Sequence, residues 1–144
     1  MRHLFIDFET YSETDIKSAG NYKYCEDENF EILLCGYMWD TDTDVSIIDL
    51  TKPGGLDEFN ELFAYVQNSE DVVIVAHNAT FERICLREYG FDISPMRFFC
   101  TANMSLYCGM PASLEEVSNI LNLDDKKKGT GKNLIRYFSI PCKP

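Results

Sequence analysis

The first regular pattern in the chain is a strict alternation from His3 to Glu9, in which Leu4, Ile6 and Phe8 fall on one side and His3, Phe5, Asp7 and Glu9 on the other. A period of two predicts a strand with one apolar face. Residues 10 to 30 are polar and irregular, with a turn signal at Gly20-Asn21. Apolar residues resume from Glu31 to Trp39 as a second strand, and Asp40-Thr41-Asp42 turns the chain into a third at Val45 to Leu50. Pro53-Gly54-Gly55 breaks that run. The period then changes: Phe59, Leu62, Phe63 and Val66 share one face of a helix predicted from about Leu56 to Gln67. Val72 to Ala76 is continuously apolar, as in a strand covered on both faces. A helix follows from about Ala79 to Tyr89 and stops at Gly90. Arg97 to Cys100 suits a short strand. Ser113-Leu114-Glu115-Glu116 is a capping box that opens a helix to about Leu121, and Thr130 to Phe138 reads as a last helix. Three strands able to form an antiparallel meander, followed by strand–helix–strand alternation, predict an α/β fold. Its core is a mixed five-stranded sheet, meander plus parallel strands, flanked by helices.

Composition narrows the setting. At 144 residues, with 45% apolar and 26% charged side chains, the chain suits one globular domain. No apolar run approaches the roughly 18 residues of a membrane span, and the first residues lack the apolar stretch of a secretory signal. A cytoplasmic, membrane-free and monomeric protein is expected. Its six cysteines show no zinc-type spacing and are expected to be reduced thiols. Thirteen basic against twenty-four acidic side chains give a net charge of −11, which argues against gripping a long duplex by its phosphates. The same charge is compatible with holding a few nucleotides through bound cations, where the protein supplies carboxylates.

The candidate chemistry lies in two segments. Asp7 and Glu9 are two apart on the first strand, so their carboxylates point the same way, opposite the apolar face. Crowded carboxylates resist ionising unless a cation intervenes, and hard divalent ions take such oxygen ligands. A solvated strand end gives the same tripeptide. The second segment, His77-Asn78-Ala79-Thr80-Phe81-Glu82, follows the buried run, and Asn78 and Glu82 share one side of the helix start. Helix capping by Asn78 and the helix dipole acting on Glu82 are the structural alternative.

Together the segments resemble the DEDD exonuclease superfamily. Phe5-Ile6-Asp7-Phe8-Glu9-Thr10 is similar to its first motif, and Asn78 to Glu82 to its second, about seventy residues on. The resemblance is greatest to the N-terminal proofreading domain of phage-type family A DNA polymerases, through Gly20-Asn21-Tyr22, Leu114-Glu115-Glu116-Val117, Lys128, Gly131 and Leu134-Ile135. It implies a ribonuclease H-like fold and 3′→5′ hydrolysis of single-stranded DNA during replication, with two Mg²⁺ or Mn²⁺ ions held by Asp7, Glu9 and Glu82. Thr10 and Asn78 would position the terminal nucleotide, Phe81 or Phe8 would pack on a base or ribose, and His77 could face the site. The implied partners are a DNA 3′ end and a polymerase domain in a longer chain.

Two departures stand out. Glu82 occupies a position usually held by Asp. The third motif, Tyr or His followed four residues later by Asp on a late helix, is missing after Cys100, so residues 1–144 are expected to form one exonuclease-like domain cut before that helix. Lys126 to Lys128, with Lys132 and Arg136, form the one basic cluster, either a phosphate contact or a solvated loop. The competing expectations are a free-standing oligoribonuclease or ribonuclease T relative, and a silent scaffold that binds metal or nucleic acid without turnover.

Overall fold

The computed structural model describes residues 1–124 and 131–141. Five strands form one sheet in the order β3-β2-β1-β4-β5: β1 (Arg2–Tyr11), β2 (Glu31–Trp39), β3 (Ser46–Asp49), β4 (Val72–Ala76) and β5 (Phe98–Cys100). The first three pair antiparallel, and β4 and β5 run parallel to β1. Helices α1 (Ile16–Cys25), α2 (Gly55–Asn68), α3 (Ala79–Glu88), α4 (Thr101–Tyr107), α5 (Leu114–Ile120) and α6 (Gly131–Phe138) flank it. This is the mixed α/β fold expected, compatible with a ribonuclease H-like arrangement. No helix among the described residues is long and apolar enough to cross a membrane.

The alternation of β1 decides where the core lies. Leu4, Ile6, Phe8 and Thr10 are buried, while Phe5, Asp7 and Glu9 are exposed on the other face. Phe8 packs between Phe59 and Phe63 of α2, with ring centroids 5.9 and 6.0 Å away. Cys35 and Ile48 continue the buried face across β2 and β3, since Phe8 pairs with Cys35 and Cys35 with Ile48. The helix stripe of α2 is as predicted for Phe59, Phe63 and Val66, with Leu62 half-buried at its margin.

Helices α1 and α4 were not expected. Asp15 caps α1 by accepting from the Lys17 N–H at 3.1 Å, but Gly20, at φ 82, interrupts the helix, and only Tyr24 and Cys25 are buried. Helix α4 begins directly after β5 and buries only Ala102 and Ser105. The capping serine at position 113 is present, its hydroxyl accepting from the Glu116 N–H at 3.5 Å. The five described cysteines are free thiols, as expected.

Arg97 ties the second half of the sheet to α2. Its guanidinium donates to the carbonyls of Val66 (2.6 Å), Ser69 (2.7 Å), Val72 (3.0 Å) and Gln67 (3.2 Å). It therefore satisfies the open C-terminal carbonyls of α2 and the start of β4 together. Arg97→Ala removes four hydrogen bonds, three of them part-buried, although the Val66 and Ser69 carbonyls keep the Ser69 and Val72 N–H groups; a loss of about 2 kcal/mol is expected in urea unfolding. Arg97→Lys should recover little of it, because one ammonium cannot reproduce the planar fork. A loss below about 0.5 kcal/mol for Arg97→Ala contradicts this capping role.

Candidate active site on strand β1 and helix α3

Asp7 and Glu9 occupy successive outward positions of β1, the central strand. They line one groove of about 560 Å³ that continues over Phe5, Met38, Val45 and Ile47. Gly36 pairs with Asp7 across the strands and presents no side chain beside its carboxylate. A β-bulge interrupts the ladder just beyond: Glu9 pairs with Leu34 but Thr10 pairs with Ile32. Bulges re-aim side chains and often border functional sites.

The second arm comes from α3. Its N-cap, Asn78, has left-handed backbone angles (φ 71, ψ 47) and makes no side-chain capping bond. An L-residue held there stores a small strain, tolerated best by Asn. The exposed Asn78 side chain is thus not committed to the helix end. One turn on, Glu82 is 4% exposed, and its Oε2 has no hydrogen-bond partner among the described residues. Burial pushes its carboxyl up to about 8, with the charges of Asp7 and Cys100 adding in the same direction.

Cys100, at the β5–α4 junction, is a neighbour that the sequence did not point to. Burial raises its thiol, but the backbone N–H groups of Asn103, Ala79, Asn78 and Ala102 together hold it below the usual value. A strand-to-helix junction was the available signal, since helix N-termini favour anions.

Four expectations need correction or refinement. Phe8 lies in the core against α2 and has no face for a base or ribose. Thr10 is on that same buried side, and its hydroxyl is engaged by the Tyr24 hydroxyl at 2.9 Å, so it does not reach a nucleotide. His77 is fastened at both ring nitrogens. Its Nε2–H donates to the Ala112 carbonyl at 2.6 Å, and its Nδ1 is hydrogen-bonded to the Thr101 hydroxyl at 2.9 Å. It joins the β4–α3 turn to α4 and the segment before α5. Phe81 is half-buried, packed on the core with its ring 6.0 Å from Tyr24. Lys126 to Lys128 lie outside the described residues; Lys132 and Arg136 are exposed on α6.

With both arms placed, comparison with known proteins adds one decisive finding. Over its whole length the chain is 41% identical to a DNA polymerase of Bacillus phage SP02. The chain spans 22% of that polymerase's length, so the similarity concerns one portion of a larger protein. No family model matches the chain.

The donor set can be tested against divalent ions on its own terms. A buried carboxylate oxygen without a hydrogen-bond partner among the described residues, whose charged form a second carboxylate also disfavours, is a configuration that a cation relieves. All-oxygen donors suit Mg²⁺ and Mn²⁺. Against this, no group of three His, Cys, Asp or Glu among the described residues is arranged to hold a metal ion as it stands. The residues fit the ions in kind, but among the described residues they do not form a ready three-ligand cluster.

Proposed function

We propose that the chain is the 3′→5′ exonuclease, or proofreading, portion of a DNA polymerase, hydrolysing the terminal phosphodiester of a single strand. The observation that carries this reading is Glu82: a buried carboxylate on α3 with an oxygen that has no hydrogen-bond partner among the described residues, its charged form further disfavoured by the charge of Asp7 on β1. Its appearance in a chain 41% identical to a phage DNA polymerase supports the polymerase setting.

In this reading Asp7, Glu9 and Glu82 hold two Mg²⁺ or Mn²⁺ ions. When bound, such ions activate water and neutralise the charge that develops on the leaving 3′ oxygen. The protein's own work is placement. Strand β1 fixes Asp7 and Glu9 on one side, and α3 brings Glu82 from the other. Asn78, its side chain unspent on capping, positions the terminal nucleotide. The apolar part of the groove, at Phe5, Met38 and Ile47, takes bases by contact rather than by reading their edges, which suits a sequence-blind enzyme.

A second reading, a metal- or nucleic-acid-binding module without turnover, is favoured by the absence of a ready three-residue cluster among the described residues. A 5′-labelled single strand incubated with the protein and Mn²⁺ separates the two. Progressive shortening from the 3′ end, stopped by a chelator, is expected. A strand that is bound but stays intact supports the silent module, and cleavage at internal positions overturns the exonuclease reading.

A further inference from the structure

We infer that Tyr24 is a positioning residue for Glu9, acting through a buried clamp on the end of β1; this rests on the proposed role of Glu9 as a metal ligand. The ladder between β1 and β2 loses its register between Glu9 and Thr10, so regular pairing does not by itself fix the direction of the chain at Glu9. Tyr24 of α1 and Ser12, just after β1, supply a further constraint. The Tyr24 hydroxyl meets the Thr10 hydroxyl at 2.9 Å, and the Ser12 hydroxyl donates to the Tyr24 carbonyl at 2.9 Å. All three residues are buried: Tyr24 and Thr10 at 6% and Ser12 at 1% exposure.

The clamp is rigid for identifiable reasons. The Tyr24 ring is packed against Phe30 (5.8 Å) and Phe81 (6.0 Å), so its hydroxyl cannot swing away without disturbing two aromatic neighbours. Phe81 directly precedes Glu82 on α3. Tyr24 therefore touches both arms of the site: β1 through Thr10 and α3 through Phe81. On the partner strand, the Tyr89 hydroxyl accepts from the Ile32 N–H at 2.8 Å, opposite Thr10. Two tyrosines thus hold the facing residues Thr10 and Ile32 just beyond the bulge, and Tyr24 holds the strand that bears the acids.

The test is a double-mutant cycle read by Mn²⁺ titration calorimetry on the whole chain, with unfolding midpoints measured in parallel. Tyr24→Phe and Thr10→Val each remove one hydroxyl of the clamp, and each is expected to weaken Mn²⁺ binding about tenfold, the low end for groups that orient a metal ligand. The double variant should be no weaker than either single, because one hydrogen bond is lost in all three. Thr10→Ser, which keeps the hydroxyl, should bind within about twofold of wild type. A purely structural role predicts lower midpoints with unchanged Mn²⁺ affinity in folded protein, and that result overturns the inference. Additive losses overturn it as well. If Tyr24→Phe fails to fold, Thr10→Val against Thr10→Ser decides the same question. Wild type that binds no Mn²⁺ removes the proposed function, and this role with it; wild type that binds while Tyr24→Phe binds equally removes this role alone.

Discussion

Glu82→Gln should make the metal-free domain more stable at pH 8 and leave it nearly unchanged at pH 4.5. In the folded protein burial, aided by Asp7, raises the Glu82 carboxyl to about 8 from an ordinary 4.5. The folded state therefore binds a proton that the unfolded state has released throughout that interval. The resulting stability is fully present below about 4.5 and is lost as pH rises towards 8. The loss is on the order of a few kcal/mol for a shift of this size in a group that is almost wholly buried. Gln carries no charge to bury, so the variant lacks this slope. Asp27, Asp40, Asp49 and Asp71 are held below the usual carboxylate range by hydrogen bonds, and for Asp71 chiefly by Arg2. These groups titrate below the window and are common to both proteins, so the difference between variant and wild type isolates Glu82. Urea unfolding in chelator at several pH values measures it. Parallel stability curves for the two proteins would show that Glu82 is ionised without penalty.

Gly55→Ala should cost about 3 kcal/mol or more, or prevent folding. A Cβ on Gly55 would stand 2.0 Å from the Asp49 carbonyl oxygen, 2.8 Å from its carbon and 3.0 Å from the Leu50 Cα. Every one of these atoms is backbone, so no side chain can turn aside to make room. Gly55 is where the end of β3 and the start of α2 touch, and α2 carries Phe59 and Phe63 into the core. Relief of the clash would have to displace the helix or the strand, which is the costly form of overpacking. Gly54→Ala provides the contrast. Gly54 has φ 85, and a Cβ added there would meet nothing within 4 Å, so only the left-handed conformation is penalised, by about 1–2 kcal/mol. Equal losses for the two variants would contradict the close approach at Gly55.

The fold was legible wherever a single face is buried. The two-residue period of β1, the apolar run of β4 and the helical stripe of α2 each report one environment, and each appeared close to its expected bounds. Helix α1 was not legible because it carries no stripe: its sequence is polar, Gly20 kinks it, and its two buried residues lie together at its end. Helix α4 is only seven residues long and follows β5 without a break. Within the candidate site, Asp7, Glu9 and Glu82 are assigned from spacing and resemblance, and the structure adds the burial of Glu82. Phe8 and Thr10 were assigned to the substrate although the alternation that buried Leu4 and Ile6 already placed them on the core side. The bonds that fix His77 come from Thr101 and Ala112, 24 and 35 residues away, which no local pattern reveals.

The central claim is that carboxylates from β1 and α3 act as one divalent-cation site. Calorimetric titration of Mn²⁺ into the wild-type chain, Asp7→Ala and Glu82→Gln addresses it most directly. Binding by wild type, weakened at least about tenfold by either substitution alone, is the expected result. Glu82→Gln that binds Mn²⁺ as wild type does, or wild type that binds none, would contradict it.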